Sequence, residues 1–137
     1  TGVTLDLDAG ADTLVLANVA NTGTVSNVET ITGGSAADTL TIATAITAGT
    51  INLGGGTDAL ALGNFANTLT VSNTETIAGG TAADTITLGS TLTGVTVDLG
   101  AGADALTLAN VANTGTISNV ETITGGTAAD VITLATV

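Results

Sequence analysis

The sequence repeats itself every 46 residues, and no insertion or deletion interrupts the period. Asp12, Asp58 and Asp104 occupy equivalent positions, and residues 1–45 match residues 93–137 at 35 of 45 positions. An internal period of this length is typical of proteins built from stacked units, in which each unit buries its apolar side against the next. We therefore interpret the chain as a single repeat domain, residues 1–137, with units of approximately 1–46, 47–92 and 93–137.

Each unit contains two related halves, in which a turn of small residues precedes an Asp and an alternating apolar segment. One half is LDAGADTLVL at 7–16, and the other is GGSAADTLTI at 33–42. Alternation of Val, Ile and Leu with Thr has the period of two that is typical of β-strands, and the Thr, Gly and Asn content disfavours helices. The sequence therefore predicts an all-β fold, a parallel β-solenoid of the β-helix or β-roll kind, with about six coils in three repeats.

The period also predicts which side chains share a column of the core, provided that each residue stacks on its own copy. An antiparallel β-sandwich of hairpins is the alternative fold, but a sandwich needs no regular period. The three columns that the solenoid predicts are Leu14, Leu60 and Leu106; Ile31, Ile77 and Ile123; and Val19, Phe65 and Val111.

Composition excludes several functional classes. The chain carries 12 acidic residues and no Lys, Arg, His, Cys or Tyr, so its formal net charge is −12. Nucleic acids and anionic membranes are bound through cationic side chains, and neither is expected as a partner. No apolar run approaches the roughly 18 residues of a membrane helix, so no membrane insertion is expected. Carboxylates alone could serve a glycosidase, but Phe65 is the single aromatic residue available to line a cleft, and we predict that the protein is not an enzyme.

Two of the turns carry a familiar motif. LGGGTDALA at 53–61 and LGAGADALT at 99–107 resemble the G-G-x-G-x-D-x-L-x nonapeptide of RTX (haemolysin-type) repeats. The whole chain is similar in texture to the β-strand-repeat arrays of secreted bacterial surface proteins, including S-layer-like and adhesin proteins. Turns with Ala36, Ala82 and Ala128 depart from the motif, and they remove a glycine where positive φ could be required. The resemblance implies calcium at the turns, with candidate ligands Asp8, Asp12, Asp38, Asp58, Asp84, Asp104 and Asp130.

A calcium ion would answer a physical problem that these acids create. If the six Asp residues that close the turns lined one edge about 4.8 Å apart, neighbours would repel each other by roughly 0.9 kcal/mol in water. The alternative is that each Asp accepts hydrogen bonds from the backbone of its own turn, which stabilises the anion without metal. A second acidic column, Glu29, Glu75 and Glu121, is expected on a solvated face.

Threonine is frequent in T-x-T triplets such as TIT at 30–32 and TLT at 68–70. Regular Thr rows on a flat solenoid face are similar to those of several ice-binding proteins, although β-propensity alone also explains Thr in strands. At the 46-residue period the rows would be interrupted, because Ala78 falls between Thr32 and Thr124, and Val131 follows Thr39 and Thr85.

These features together predict a structural protein. We expect an extracellular repeat protein of the bacterial surface or secreted matrix, part of a longer array or fibre, that acts as a rigid spacer, coat or filament and is stabilised by calcium. Its expected partners are copies of itself or neighbouring repeats, stacked end to end. The alternative function is a binding module that recognises ice or another surface through Thr- and Asn-rich faces.

Overall fold

The computed structural model describes residues 2–135, which form a β-solenoid of 15 strands without a helix. The strands are short because the chain turns back after three to eight residues each time. Within these residues, no helix has the length and apolarity that a membrane span requires. The strands are β1 (Val3–Asp6), β2 (Thr13–Val15), β3 (Thr22–Ser26), β4 (Thr30–Thr32), β5 (Thr39–Ile42), β6 (Gly49–Asn52), β7 (Ala59–Ala61), β8 (Thr68–Ser72), β9 (Thr76–Gly80), β10 (Thr85–Leu88), β11 (Thr93–Gly100), β12 (Ala105–Thr107), β13 (Thr114–Ser118), β14 (Thr122–Thr124) and β15 (Val131–Leu134).

Two parallel sheets face each other across the core. Sheet 1 contains the eight odd-numbered strands and sheet 2 the seven even-numbered strands, each in chain order. Every coil therefore contributes one strand to each sheet, and all pairings are parallel. The predicted all-β parallel solenoid is confirmed, and the antiparallel sandwich is excluded.

The length of a coil differs from the sequence-based expectation. Thr13 pairs with Thr30 and Thr30 pairs with Thr50, so successive coils take 17 and 20 residues. A 46-residue unit then holds five strands, which make two and a half coils, and residues 2–135 form about seven coils rather than six. Consecutive units are consequently related by half a turn about the solenoid axis. Equivalent residues of neighbouring units lie on opposite sheets.

The half turn overturns the predicted core columns. Leu14 lies in β2 of sheet 2, whereas Leu60 lies in β7 of sheet 1. The column that contains Leu60 instead runs through sheet 1, with Leu40 below it and Ile77 above it. Ile31 and Ile77 are separated in the same way. The corresponding column of sheet 2 is Leu14, Ile31, Ile51, Val71 and Leu88.

The third predicted column, Val19, Phe65 and Val111, does not enter the core. These side chains lie in turns, and they are 61%, 47% and 42% exposed. The strands alternate between buried and exposed positions, as in Thr39–Ile42 and Thr85–Leu88. This alternation assigns inward and outward residues correctly, but it carries no information about residues between strands.

Glycine at the start of the G-G-x-x-x-D turns is required by the close stacking of coils. A Cβ on Gly79 would overlap the backbone oxygen of Leu99 in the next coil and lie 2.8 Å from Asp84 Oδ2. The two RTX-like turns also use left-handed glycines, with φ of 90° at Gly54 and 84° at Gly100. Asp8 takes the equivalent conformation in the first unit, with φ of 61°.

Candidate functional sites: two edge ladders and a threonine column

The chain crosses from one sheet to the other at two edges of the solenoid. At each crossing, a residue shortly before the next strand stacks on its counterpart in the neighbouring coil, and these residues form a ladder along each edge. Edge 1 is where the chain leaves sheet 1, and edge 2 is where it leaves sheet 2. Both ladders follow the order Asn, Asp, Asp, Glu, apolar, because each unit supplies five edge positions in turn. Edge 1 contains Asp12, Glu29, Ile46, Asn67, Asp84, Asp104 and Glu121, of which Ile46 lies three residues before its strand, and edge 2 contains Asn21, Asp38, Asp58, Glu75, Leu92, Asn113 and Asp130.

Hydrogen bonds join consecutive coils along these ladders. On edge 2, the backbone N–H and side-chain Nδ2 of Asn21 donate to Asp38 Oδ1 at 2.9 and 2.8 Å. The amide of Asp38 donates to Asp58 Oδ1 at 2.7 Å, and the amide of Asp58 donates to Glu75 Oε2 at 2.7 Å. Each acid therefore accepts from the coil before it, so the ladder continues the inter-coil hydrogen bonding past the ends of the strands.

Edge 1 repeats the same connections half a turn away. Asn67 accepts from the amide of Ile46 at 3.0 Å and donates through N and Nδ2 to Asp84 Oδ1 at 2.9 Å each. The amide of Asp84 donates to Asp104 Oδ1 at 2.7 Å, and that of Asp104 donates to Glu121 Oε2 at 2.7 Å. Asn67 is 1% exposed, so its side chain satisfies backbone groups that water cannot reach.

The predicted single edge of Asp residues is wrong, because the half turn divides the acids between the two edges. Asp12, Asp84 and Asp104 lie on edge 1, whereas Asp38, Asp58 and Asp130 lie on edge 2. Asp8 belongs to neither ladder. It is exposed, and its amide donates to Asp6 Oδ1 at 3.0 Å.

The Asp residues of the turns accept hydrogen bonds from backbone amides, which is the capping role. The donors, however, lie in the neighbouring coil and not in the turn of the same Asp. Sequence analysis missed Asn21, Asn67 and Asn113 as members of the ladders. Their 46-residue spacing was visible, but their alignment with Asp residues depends on the coil lengths. The glutamates are also more than a solvated column: Glu29 and Glu75 are half-buried and Glu121 is exposed, and all three accept amide hydrogen bonds.

Burial of the second carboxylate oxygen, Oδ2, of the turn Asp residues is electrostatically unfavourable. Oδ2 of Asp38, Asp58, Asp84 and Asp104 is buried and accepts no hydrogen bond from the described residues, and these side chains are 0 to 1% exposed. Burial raises the pKa of Asp58, and the nearby charges of Glu75 and Asp38 act in the same direction, opposed by the hydrogen bond from the Asp38 amide. Burial likewise raises the pKa of Asp104.

Calcium was the ligand implied for these turns. Among residues 2–135, no three acidic side chains are grouped so that they could hold a metal ion together. Oδ1 of Asp38, Asp58, Asp84, Asp104 and Asp130 is already used by amide donors of the preceding coil. The observed donor sets therefore favour amide capping, and calcium binding stays a prediction for the turns.

A third set of polar contacts stabilises the short turns of three residues that connect β3 to β4, β8 to β9 and β13 to β14. Asn27, Asn73 and Asn119 have φ between 51° and 54°, a left-handed conformation that Asn tolerates better than most residues. Asn27 Nδ2 donates to Asp6 Oδ1 at 2.7 Å in the preceding coil. The amide of Asp8 and this side chain lower the pKa of Asp6.

Threonine forms one unbroken outward column along sheet 2. Strand registers connect a Thr of each strand to a Thr of the next, through all seven strands. The interruptions expected from the 46-residue period do not occur, because neighbours in the column come from different positions of the repeat. The members are Thr13, Thr30, Thr50, Thr70, Thr87, Thr107 and Thr124.

The two sheets differ in this respect. On sheet 1 the comparable column from Thr22 to Thr133 is interrupted by Ala59, and the column beside it contains Asp98. No strand of sheet 2 contains an acidic residue, although the chain carries a net charge of −12. The outward face of sheet 2 is therefore an uncharged array of hydroxyl and methyl groups.

Comparison of the chain with known protein families, curated proteins and solved structures finds no match.

Proposed function

We propose that the protein is a structural element, a rigid rod of stacked repeat units that forms part of an extracellular spacer, coat or filament. The observation that carries this proposal is the repeated contact between units, in which β6 and β7 cover β4 and β5, and β11 and β12 cover β9 and β10 in the same way. Residues that this contact buries inside the solenoid are exposed at its ends. Leu134 is 58% exposed, whereas its equivalents Ile42 and Leu88 are 0% and 6% exposed. Val3 is 65% exposed, and its equivalent Val95 is 5% exposed.

The surface exposed at each end of the solenoid is therefore equivalent to the surface that is buried between consecutive units inside it. At the first coil, a groove of about 330 Å³ opens between the sheets and is lined by Leu5, Leu14 and Leu16 among other residues. Unpaired strand edges above apolar columns favour addition of a further strand. The extracellular location rests on the resemblance of the turns to RTX repeats and of the whole chain to the β-strand-repeat arrays of bacterial surface proteins.

Assembly should depend on salt, because 12 acidic residues without a base resist association until counterions screen them. We expect light scattering to report longer particles as the salt concentration rises, and electron microscopy to show rods of constant width. Val3→Lys should abolish elongation by placing a charge in the end interface. Thr87→Lys adds the same charge to an exposed position away from the ends and should leave elongation intact. Particles that stay monomeric at every salt concentration would overturn the proposal.

A second function is favoured by the threonine column, namely binding to ice. The Thr side chains repeat about 4.8 Å apart along the column, and outward residues two apart along a strand are about 6.6 Å apart. Such a regular, neutral lattice of hydroxyl and methyl groups suits a solid whose surface is itself a regular lattice of water. The absence of charge on sheet 2 favours a neutral solid over an ionic mineral.

Ice recrystallisation provides the test. We expect the protein to inhibit it, and Thr70→Tyr with Thr87→Tyr on sheet 2 to raise the required concentration about tenfold or more, since the bulky rings interrupt the lattice over two adjacent coils. Thr96→Tyr with Thr116→Tyr is the matched control on sheet 1, where the two residues are also adjacent. Equal loss in both variants, or no inhibition by the parent protein, would remove ice from consideration.

A further inference from the structure

We infer that a second copy of this chain docks on the end surface with a half-turn rotation, so that sheet 1 of one copy continues sheet 2 of the other. This inference rests on the proposed end-to-end assembly and specifies its geometry. The alternative, in which like sheets continue each other, is the simpler expectation for a stack of identical molecules.

The template for this contact occurs twice within the chain. Unit 1 ends with β4 in sheet 2 and β5 in sheet 1, and unit 2 covers them with β6 and β7 respectively. Unit 2 ends with β9 and β10, which unit 3 covers with β11 and β12. Consecutive units therefore begin in opposite sheets. Unit 1 begins with β1 in sheet 1, unit 2 with β6 in sheet 2, and unit 3 with β11 in sheet 1.

Unit 3 ends with the equivalent strands, β14 in sheet 2 and β15 in sheet 1. The same interface therefore places β1 of the next copy on β14 and β2 of the next copy on β15. Because β1 belongs to sheet 1 of its own copy, the two copies must differ by half a turn about the axis. The rotated arrangement also presents Leu5 and Leu14 of the next copy to the columns that end at Ile123 and Ile132.

The register follows from the internal pairs. Thr30 pairs with Thr50, and Thr76 pairs with Thr96. The equivalent pair at a junction is Thr122 with Thr4 of the next copy. The edge ladder continues in the same way, because the amides of Asp38 and Asp84 donate to Asp58 and Asp104. At the junction the corresponding bond joins the amide of Asp130 to Asp12 of the next copy.

The end interface thus combines apolar side chains with backbone hydrogen-bonding groups, and both sets match those of the contact between units inside the chain. Leu134 and Val3 supply the exposed apolar surface, and the strand edges supply the backbone donors and acceptors. A stack of unrotated copies would pair β15 with β1, a contact for which the strands of residues 2–135 provide no internal template.

Cysteine cross-linking distinguishes the two arrangements, because the chain has no cysteine of its own. Thr4→Cys with Thr122→Cys places both thiols on outward, exposed positions at opposite ends of the rod, roughly 31 Å apart along the axis of one molecule. A disulfide between them must therefore join two molecules, and neighbouring parallel strands have the Cα separation that a disulfide accepts. Thr4→Cys with Thr133→Cys is the matched variant for the unrotated stack.

We expect oxidation under assembling salt conditions to convert most of the Thr4/Thr122 variant into a ladder of covalent oligomers, and the Thr4/Thr133 variant to remain largely uncross-linked. The reverse pattern would overturn the rotated geometry while leaving end-to-end assembly in place. Rods seen by electron microscopy with neither variant cross-linked would also overturn the rotated register. If no rods form, the proposed structural function fails, and the inference fails with it.

Discussion

Replacing Gly79 with Ala will lower the free energy of unfolding by about 3 kcal/mol, because the new Cβ must occupy space held by backbone atoms. The overlap is with the Leu99 oxygen of the next coil, and Asp84 Oδ2 lies 2.8 Å from the same position. Neither atom belongs to a flexible side-chain end that could move away freely, since Asp84 is held by Asn67. The melting temperature should fall by roughly 10 °C.

Gly55→Ala is the matched control in another turn of the same solenoid. The nearest atom to a Cβ at Gly55 is the Ser35 Cα at 3.7 Å, and the residue does not need a left-handed conformation. We expect a change of less than about 0.5 kcal/mol. Urea denaturation of both variants measures the difference, and equal midpoints would show that coil stacking at Gly79 relaxes easily.

Raising the pH from about 4 to about 8 will destabilise the protein, and Asp58 and Asp104 will account for much of the change. Their pKa values are raised in the folded state by burial. The folded state therefore binds more protons than the unfolded chain above the ordinary carboxyl pKa, and this stability is lost as the pH rises through the raised values. The lowered pKa of Asp6 acts only below the ordinary carboxyl range.

Asp58→Asn with Asp104→Asn should raise the free energy of unfolding at neutral pH by about 1 to 3 kcal/mol and flatten its pH dependence. The amide keeps an acceptor for the preceding coil and removes a buried charge. Asn67 already provides this arrangement in the ladder, where its Oδ1 accepts from Ile46 at 3.0 Å. Asp8→Asn with Asp98→Asn makes the same change of net charge at two exposed positions and should keep the parent pH dependence.

Melting curves across this pH range, in buffers with chelator and in buffers with calcium, provide the measurement. A parent protein whose stability rises with pH would contradict the proposed origin of the effect. Stabilisation by calcium that disappears in the double Asn variant would instead assign these turns to metal binding, as the RTX-like motifs predict.

The local level of the structure could be predicted from the sequence. Alternating apolar and Thr residues determine the strands and their inward sides, as in Thr39–Ile42, because side chains of a strand point alternately to opposite faces. The repeated unit indicated stacking, and the parallel solenoid followed. The small residues of the G-G-x-x-x-D turns indicated where the strands end, but only the structure showed that Gly79 is required by close backbone packing.

Only the tertiary structure decided which residues meet. The 46-residue period specifies that units are equivalent, but the number of coils in a unit depends on how much chain each turn consumes. Coils of 17 and 20 residues make that number two and a half, so equivalent residues alternate between opposite sides of the rod. This half-integral relation separates Leu14 from Leu60, distributes the acids over two edges, and brings Thr residues from different repeat positions into one column along sheet 2.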